Sequence, residues 1–384
     1  MKAARLYGVR DVRIEDLPTP ELRPGLALVR SRAVSICGSD LHYFQDGRIG
    51  DSLAAQPLVL GHEFAGEVIA VEPGASRDGS APHGGLPTPG AGGLPPDGLA
   101  ATGGGLTTSG LQAGAREVLR PGTVVAIDPA IACEACEHCL AGNPNLCPQI
   151  RFAGTPPTDG GLQEYLAWPA HLLHPLPAGM SYETGALLEP LGVAIHAVDL
   201  AKIRLADTVA VLGAGPIGLL VIRLAALSGA ARVFATDVRA DRVEAARAFG
   251  AQAAIDVSSA DPGPWVRKET SGRGVDVAIE CAGSPEAVEQ AIDVVRPGGT
   301  VVLVGIPSDD RVAFGAAKAR RKGATVKFCR RMKHVYARAL ALVAAGMVDL
   351  PPLVSHRFSL DELPAAFAAL DRGERGLRKV VIAL

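Results

Sequence analysis

Four cysteines lie within fifteen residues of one another and make the densest group of metal-binding side chains in this sequence. They are Cys133, Cys136, Cys139 and Cys147, spaced as C-x2-C-x2-C-x7-C. Thiolates at this spacing can converge on one point and complete the tetrahedral shell that zinc prefers, with no position left for a substrate. The group therefore predicts a closed, structural zinc site. The alternatives are two disulfides, which the lack of secretory features in the chain disfavours, or four unrelated thiols.

A second set of residues has the right chemical types for a metal site but not the spacing. Cys37, His62, Glu63 and Glu189 are all of the types that bind zinc, yet they are far apart along the chain. Three or four such ligands could leave room for water or substrate. On residue type alone, a buried Cys or His is more often part of a core, and a lone Glu is more often on the surface.

A glycine-rich hexapeptide predicts a nucleotide site, with Gly213, Gly215, Pro216, Ile217 and Gly218 as contacts. It reads G-x-G-x-x-G, follows an apolar strand and opens a helix. Glycines there permit the tight turn and let a pyrophosphate reach the N-terminus of the helix. The alternative is a glycine turn that only packs the helix on the strand.

The residues that follow this turn bear on which nucleotide binds. Asp237 ends the next strand, 24 residues after Gly213. A carboxylate there can accept hydrogen bonds from a ribose 2′-OH and would repel a 2′-phosphate, which favours NAD over NADP. Arg239 and Arg242 weaken this inference, because arginine can pair with a phosphate.

The elements that must position these groups fall into two kinds. Short strands are predicted early, at 29–34 and 66–71. From about residue 207 strands and helices alternate, which is typical of a doubly wound parallel sheet. Predicted strands there are 208–212, 232–236, 275–279 and 300–304, with helices at 217–227 and 239–249. A helix at 337–345 and a strand at 380–382 close the chain.

Composition excludes several classes of protein. The chain has 384 residues, 48% hydrophobic and 20% charged, with a formal net charge of -2. This is a globular composition, long enough for two domains. Charges of both signs are scattered, and no apolar run predicts a membrane-spanning helix. The first residues lack the apolar core of a signal peptide. We therefore expect a cytoplasmic protein that binds neither nucleic acid nor membrane.

Residues 76–116 fit neither kind of element. They are rich in Gly, Pro, Ala and Thr and contain few large apolar side chains. Such a segment cannot bury enough apolar surface to offset the entropy lost on ordering. We expect a flexible surface insertion between two strands, with a partner-binding or oligomer-specific loop as the alternative.

The chain resembles the zinc-dependent medium-chain dehydrogenases/reductases, and most closely the polyol (sorbitol or L-iditol) dehydrogenases. The resemblance covers nearly all of the chain outside 76–116. It rests on the four-cysteine loop and on the segments CGSDLHYF, PLVLGHEFAG, FAGTPPTDGG, ALLEPLGVAIHA, GAGPIG with TDVRADR, and LVSHRFSLDELPAAF. It implies an α/β protein with a Rossmann doubly wound parallel sheet over 192–329. A GroES-like β-rich catalytic domain spans 1–191 and is rejoined by 330–384.

The same resemblance implies a catalytic zinc held by Cys37, His62 and Glu63. Glu189 would bind this zinc directly or through a water molecule, at a position where related alcohol dehydrogenases have a second cysteine. With the four-cysteine site, this predicts two zinc ions per subunit.

The resemblance also assigns groups that move protons. Ser39 and His42 match a hydroxyl–imidazole proton relay, and an imidazole suits this role because its pKa lies near neutrality. Asp40 matches the carboxylate that orients the zinc-bound His62. A surface histidine on a turn stays open as the alternative for His42.

Substrate and further cofactor contacts carry over from the resemblance. Those with the nucleotide add Arg242, Val304, Gly305 and Ile306. Those with the polyol are Tyr43, Phe152, Thr155 and Arg331. Met332 departs from the aromatic residue of related sorbitol dehydrogenases, which puts the identity of the sugar alcohol in doubt. The basic stretch 330–333 could favour an acidic or phosphorylated polyol, or be a solvated run of charge.

The implied reaction is the reversible, NAD-linked oxidation of a secondary hydroxyl of a polyol such as sorbitol, xylitol or iditol to a ketose. A homodimer or homotetramer is implied as well. An L-threonine 3-dehydrogenase or a butanediol dehydrogenase on the same scaffold is the alternative within enzymes. A non-catalytic NAD sensor and an interaction module built on the 76–116 segment are alternatives from other classes.

Overall fold

The computed structural model describes residues 1–73, 119–308 and 310–384, so the predicted insertion at 76–116 lies outside the described residues. The strands, in chain order, are β1 (Lys2–Gly8), β2 (Asp11–Asp16), β3 (Leu26–Ser35), β4 (Arg48–Ile49), β5 (Ser52–Leu53), β6 (Leu58–Val59), β7 (Glu63–Val71), β8 (Val124–Ile127), β9 (Ala130–Ile131), β10 (Arg151–Phe152), β11 (Tyr165–Pro169), β12 (Leu173–Pro175), β13 (Thr208–Leu212), β14 (Arg232–Asp237), β15 (Ala253–Asp256), β16 (Val275–Glu280), β17 (Val295–Leu303), β18 (Thr325–Phe328), β19 (Val354–Ser359) and β20 (Lys379–Ala383).

The helices connect these strands and, in the second half, alternate with them. They are α1 (Gly38–Asp46), α2 (Glu137–Leu140), α3 (Tyr182–Ala186), α4 (Leu188–Ala201), α5 (Pro216–Leu227), α6 (Ala240–Ala248), α7 (Pro262–Glu269), α8 (Pro285–Val294), α9 (Ala316–Lys322), α10 (Tyr336–Ala344) and α11 (Leu363–Asp371). Short 3₁₀ turns lie at Pro144–Leu146, Ala170–Leu172, Pro351–Leu353 and Leu360–Glu362.

The second half of the chain builds a parallel sheet of six strands in the order β15-β14-β13-β16-β17-β18. Numbered from β13, this order is 3-2-1-4-5-6, the doubly wound arrangement that binds dinucleotides where the order reverses. The apolar run of β13 is buried from Val209 to Leu212 because helices cover both faces of the sheet. The predicted Rossmann sheet and its strands are confirmed.

A second sheet joins the two ends of the chain. Its strands run β12-β8-β7-β3-β20-β19, with β11 also paired to β3. Strand β20 pairs antiparallel with β3, which brings Val381 opposite Ser35. The C-terminal part therefore completes a sheet begun by the N-terminal part, as the predicted return of 330–384 requires. The exact domain boundaries stay a prediction, and the one at 191 falls inside α4.

One helical run has the length and composition of a membrane-spanning helix, but it lies in the core. Among the described residues, Tyr182–Ala201 forms a helical run of 20 residues that is apolar and long enough to cross a membrane. The run consists of α3 and α4 in succession, and 78% of its apolar window is buried inside the protein. It packs on α5 and α10, so its composition is explained by its place in the core.

Candidate functional site

Three predicted zinc ligands come together where β3 ends and the neighbouring strand β7 begins. Cys37 caps α1 just after β3, and His62 and Glu63 lie at the start of β7. Because Ser35 and Glu63 are direct partners across β3 and β7, the two loops meet at one point. The ligand atoms of Cys37, His62 and Glu63 all lie within 4.8 Å of one another.

The surroundings of His62 favour a bound cation. Its Nδ1 lies 3.5 Å from Oδ1 of Asp40, whose carboxylate also accepts the backbone N–H groups of Cys37 at 2.9 Å and Gly61 at 3.1 Å. Burial disfavours a charged imidazole, but Asp40 and Cys37 outweigh it and raise the pKa of His62 well above its ordinary value. The same charges would stabilise a metal ion, so the cluster fits the zinc that its donor set implies.

The two residues of the predicted proton relay are placed differently. Ser39 Oγ lies 3.3 Å from Nε2 of His62, the ring nitrogen that faces away from Asp40. His42 lies one helical turn further along α1, is 22% exposed, and has its Nδ1 3.6 Å from Oδ2 of Asp46. Ser39 is therefore at the candidate centre and His42 on the way to the surface. Their joint role stays a prediction.

Glu189 is buried close to the centre but is not one of the three converged ligands. It lies at the N-terminal end of α4 and is 4% exposed. Burial, with a contribution from the charge of Glu63 that is opposed by His62, raises the pKa of Glu189 to about 8. A carboxyl that is readily protonated beside a metal centre can bind either a proton or the metal. Whether it binds zinc directly stays a prediction.

Two residues that sequence reasoning missed hold Glu63 in place. Lys379 Nζ donates to Glu63 Oε1 at 2.6 Å, and Ser35 Oγ donates to Oε2. Lys379 is 3% exposed and lies in β20, where the next three residues are buried as well. A lysine at the start of such an apolar strand is a signal of a buried partner, because an unpaired buried charge is costly.

The predicted polyol contacts lie together beside His62. The ring of Phe152 lies 5.3 Å from that of His62, and the guanidinium of Arg331 lies 4.0 Å above the Phe152 ring. Tyr43 OH is hydrogen-bonded to Ser52 Oγ at 2.7 Å, and Thr155 is a further partner. Burial, with the nearby charge of Arg330, lowers the pKa of Arg331 to about 10.

Met332, the departure noted in the sequence, packs against α4. It is buried, and a Cβ built on Gly192 would come 2.3 Å from its Sδ. This side chain therefore fills the gap left by a glycine in the helix that carries Glu189.

Each glycine of the nucleotide turn has its own structural reason. Gly213 has a φ of 95°, which favours glycine, and a Cβ on Gly218 would lie 1.9 Å from the carbonyl oxygen of Gly213. A Cβ on Gly215 would meet nothing closer than 4.0 Å, where Nη1 of Arg242 lies. Gly215 thus borders open space at the N-terminus of α5, as a bound pyrophosphate requires.

Asp237 lies beside this turn at the end of β14. Its carboxylate accepts the backbone N–H of Ala214 at 2.8 Å and that of Arg239 at 3.0 Å, and it is 6% exposed. Nη1 of Arg242 is 3.7 Å from Oδ2 of Asp237. The carboxylate is therefore fixed next to the glycine turn, where it can meet a ribose.

Val304, Gly305 and Ile306 follow β17 on the same edge of the sheet. A Cβ on Gly305 would come 2.1 Å from the backbone nitrogen of Gly283, so the loops after β16 and β17 are in close contact. Glu280, which sequence reasoning missed, accepts the N–H of Gly283 at 2.7 Å and holds this contact. Ile306 is 47% exposed and faces outward at the mouth of the sheet edge.

The four-cysteine loop has the geometry of a metal site. All seven cysteines are free, and the Sγ atoms of the four lie within 4.8 Å of one another. Sγ of Cys139 is 3.5 Å from that of Cys136 and 3.9 Å from that of Cys133. Four sulfurs at zinc-bond length in a tetrahedron are about 3.8 Å apart. Donation by the backbone N–H groups of Ala135 and Cys136 lowers the pKa of Cys133 to about 6, which favours a thiolate ligand.

Comparisons with known proteins agree with this geometry. A family model of the zinc-binding dehydrogenases matches residues 216–345, and one of the alcohol dehydrogenase GroES-like domain matches 23–80 and 106–178. Sorbitol dehydrogenase from Bacillus subtilis (strain 168) is 34% identical over 362 residues, 94% of this chain and 91% of that protein. Sorbitol dehydrogenase from Gallus gallus is 36% identical over 374 residues, 97% and 94% of the two chains.

Solved structures share the whole fold. A zinc-binding dehydrogenase from Sinorhizobium meliloti 1021, bound to NADP, is similar with a TM-score of 0.81 and 31% identity over 100% of this chain and 99% of that one. The similarity therefore spans both sheets.

Proposed function

The chain belongs to the zinc-binding dehydrogenases with a GroES-like domain, and from this premise we propose that it reversibly oxidises a secondary hydroxyl of a polyol to a ketose, with NAD as the acceptor. The observation that carries the proposal is the convergence of Cys37, His62 and Glu63 beside a buried Glu189. Similarity to two sorbitol dehydrogenases over nearly the whole chain supports a polyol substrate.

The chain's own residues can perform this chemistry. Zinc held by Cys37, His62 and Glu63 would supply a Lewis acid for the hydroxyl, and NAD would supply the hydride acceptor. Ser39 Oγ, 3.3 Å from Nε2 of His62, is placed to accept the hydroxyl proton as it releases its own. His42, one turn further along α1, is placed to pass that proton towards solvent.

Other residues position the reactants. Asp40 fixes the ring of His62, while Tyr43, Phe152, Thr155 and Arg331 form the wall on which the polyol would lie. Arg331 presents a guanidinium that can donate several hydrogen bonds to hydroxyls.

We propose two zinc ions and one NAD per subunit. The four-cysteine loop would hold the second zinc, and the free thiols are typical of a reducing compartment such as the cytoplasm. Asp237 supports NAD, although the similar dehydrogenase from Sinorhizobium meliloti binds NADP. The resemblance to polyol dehydrogenases supports a homodimer or homotetramer.

The test is a substrate panel read as NAD(P)H absorbance. Sorbitol, xylitol and ribitol with NAD are expected to give turnover, and Ser39→Ala is expected to slow it. L-Threonine 3-dehydrogenase and butanediol dehydrogenase are the rival activities, so activity on L-threonine or 2,3-butanediol with none on any polyol would replace this proposal. NAD binding with no turnover of any alcohol would favour a non-catalytic sensor.

A further inference from the structure

Arg239 lies directly before α6, two residues after Asp237 at the end of β14, and one edge of its guanidinium is paired with Asp241. Nε donates to Oδ1 of Asp241 at 3.1 Å, and Nη2 donates to Oδ2 at 2.9 Å. This is the two-point geometry in which an arginine pairs most strongly with a carboxylate. The two side chains are 21% and 27% exposed, so the pair is largely shielded from solvent.

The rest of the guanidinium is held by the segment that follows α11. Nη1 donates to the carbonyl of Gly373 at 3.4 Å, and Nη2 donates to that of Glu374 at 3.2 Å. Asp241 is tied to the same segment, because its Oδ2 accepts the N–H of Gly376 at 3.2 Å. The single N–H of Nε, one N–H of Nη1 and both N–H groups of Nη2 are thus hydrogen-bonded. This accounts for four of the five N–H groups of the guanidinium.

The position of Arg239 in the chain makes this arrangement relevant to the cofactor. Its backbone N–H donates to Oδ1 of Asp237, the carboxylate proposed to meet the ribose 2′-OH. A 2′-phosphate would occupy the same neighbourhood, and an arginine two residues from that carboxylate is well placed to bind it.

Arg242 is not placed to bind a 2′-phosphate in the same way. Its Nη1 lies 3.7 Å from Asp237 and 4.0 Å from a Cβ built on Gly215, so it faces the glycine turn and is already paired with the ribose carboxylate.

We propose that Asp241 is a specificity-determining residue for the cofactor, because it holds Arg239 against Gly373 and Glu374 and so keeps a phosphate-binding guanidinium away from the nucleotide. Two carboxylates then select NAD: Asp237 by contact with the ribose, and Asp241 by sequestering the arginine. This inference rests on the proposed NAD-dependent function and extends it to a residue that does not touch the cofactor.

The experiment compares the affinities of NAD and NADP by calorimetry, without any alcohol. Asp241→Asn keeps an acceptor for Gly376 and removes the charge, and Asp241→Ala removes both. Each is made in the native chain and in an Asp237→Ser background. In that background, repulsion of the 2′-phosphate by Asp237 no longer masks a gain in NADP affinity. Arg239→Ala is combined with each Asp241 variant as the matched control.

We expect the Asp241 variants to lower the dissociation constant of NADP roughly tenfold, the value of one charge-assisted hydrogen bond, with NAD affinity changed less than about threefold. The gain should vanish when Arg239 is alanine. An unchanged NADP affinity in both backgrounds, or a gain that persists without Arg239, overturns the inference. Native protein with no affinity for NAD overturns the proposed function along with it, whereas tight NAD binding with no NADP gain overturns the inference alone.

Discussion

Lys379 and Glu63 form an ion pair in the interior of the protein, with Nζ of the lysine 2.6 Å from Oε1 of the glutamate. Lys379 is 3% exposed and Glu63 is fully buried. The ammonium also donates to the carbonyl of Ile36 at 3.0 Å, one residue before Cys37. The lysine therefore compensates the charge of a proposed zinc ligand and ties β20 to the loop that carries another.

This pair predicts a metal-dependent cost of removing the lysine. Without zinc, Lys379→Met leaves the buried Glu63 without its ion-pair partner and should lower the free energy of unfolding by about 3–5 kcal/mol. With zinc bound, the metal takes over as the counter-charge, so the loss should be smaller. Urea unfolding of both proteins, with and without a chelator, measures the difference.

A matched control is Lys327→Met, which removes a partly buried lysine whose ammonium, among the described residues, donates to the carbonyl of Leu200 alone. Its cost should be the same with and without zinc. Equal losses for Lys379→Met in the two states would contradict the role assigned to the pair.

The glycine turn offers a second prediction from two neighbouring positions. Gly218→Ala places a methyl 1.9 Å from the carbonyl oxygen of Gly213, which cannot move without disturbing the turn. We expect a loss of about 3 kcal/mol in unfolding free energy. Gly215→Ala adds a methyl into open space at a φ of -69°, so stability should change by less than about 0.5 kcal/mol.

Gly215→Ala, the variant expected to keep its stability, should instead lose affinity for NAD. The methyl of Gly215→Ala occupies the space through which a pyrophosphate approaches, so the dissociation constant of NAD should rise at least tenfold or so. Calorimetric titration beside thermal unfolding checks both effects. A Gly215→Ala protein that binds NAD normally would remove this turn from the cofactor site.

How far the sequence predicts this molecule depends on how local each feature is. The four cysteines and the glycine turn each lie within one short segment, and the strands of the Rossmann sheet follow from local apolar runs. The pair of Glu63 and Lys379 joins residues 316 positions apart, and that of Arg239 with Gly373 joins residues 134 apart. Contacts of this kind arise only when the two sheets are assembled.

The family resemblance supplied what spacing could not, but only for residues that its motifs contain. It brought Cys37, His62 and Glu63 together correctly as neighbours. It did not indicate Lys379, which lies outside those segments, or a role for Asp241, although Asp241 lies within TDVRADR. A lysine in an apolar strand was the visible signal for the first, whereas the contact of the second with Gly376 joins residues 135 positions apart.

A third prediction concerns acid stability and Asp276 in the Rossmann sheet. This carboxylate is 7% exposed and accepts from Arg273 at 2.6 Å, Arg296 at 2.7 Å and the N–H of Thr208 at 2.9 Å. The hydrogen bond from Arg273 is the largest of the interactions that hold the pKa of Asp276 far below its usual range, against the effect of burial. A lowered pKa stabilises the fold above the unfolded value, near 4, and the gain is lost as pH falls.

Asp276→Asn should therefore lower the free energy of unfolding by about 2 kcal/mol at neutral pH. The gap to the native protein should narrow as pH falls below about 4, because the unfolded aspartate is then protonated. Urea unfolding across this range gives the curve, with Asp256→Asn as a control at a half-buried carboxylate that accepts from Ser258, where the effect should be smaller. A gap that is constant with pH would exclude the carboxylate charge as its cause.

The last prediction distinguishes the two proposed zinc sites, because one should affect stability and the other turnover. Cys136→Ser removes a ligand from a closed shell that ties α2 to the loop around Cys147, so it should lower the zinc content from two to one per chain and reduce thermal stability. Cys37→Ser should also leave one zinc, but at the other site, and should abolish turnover with a smaller effect on unfolding. Elemental analysis, calorimetry and NADH absorbance give the three readouts. Two zinc ions retained in Cys136→Ser would show that the four thiols do not share a metal, and full turnover in Cys37→Ser would remove that residue from the reaction centre.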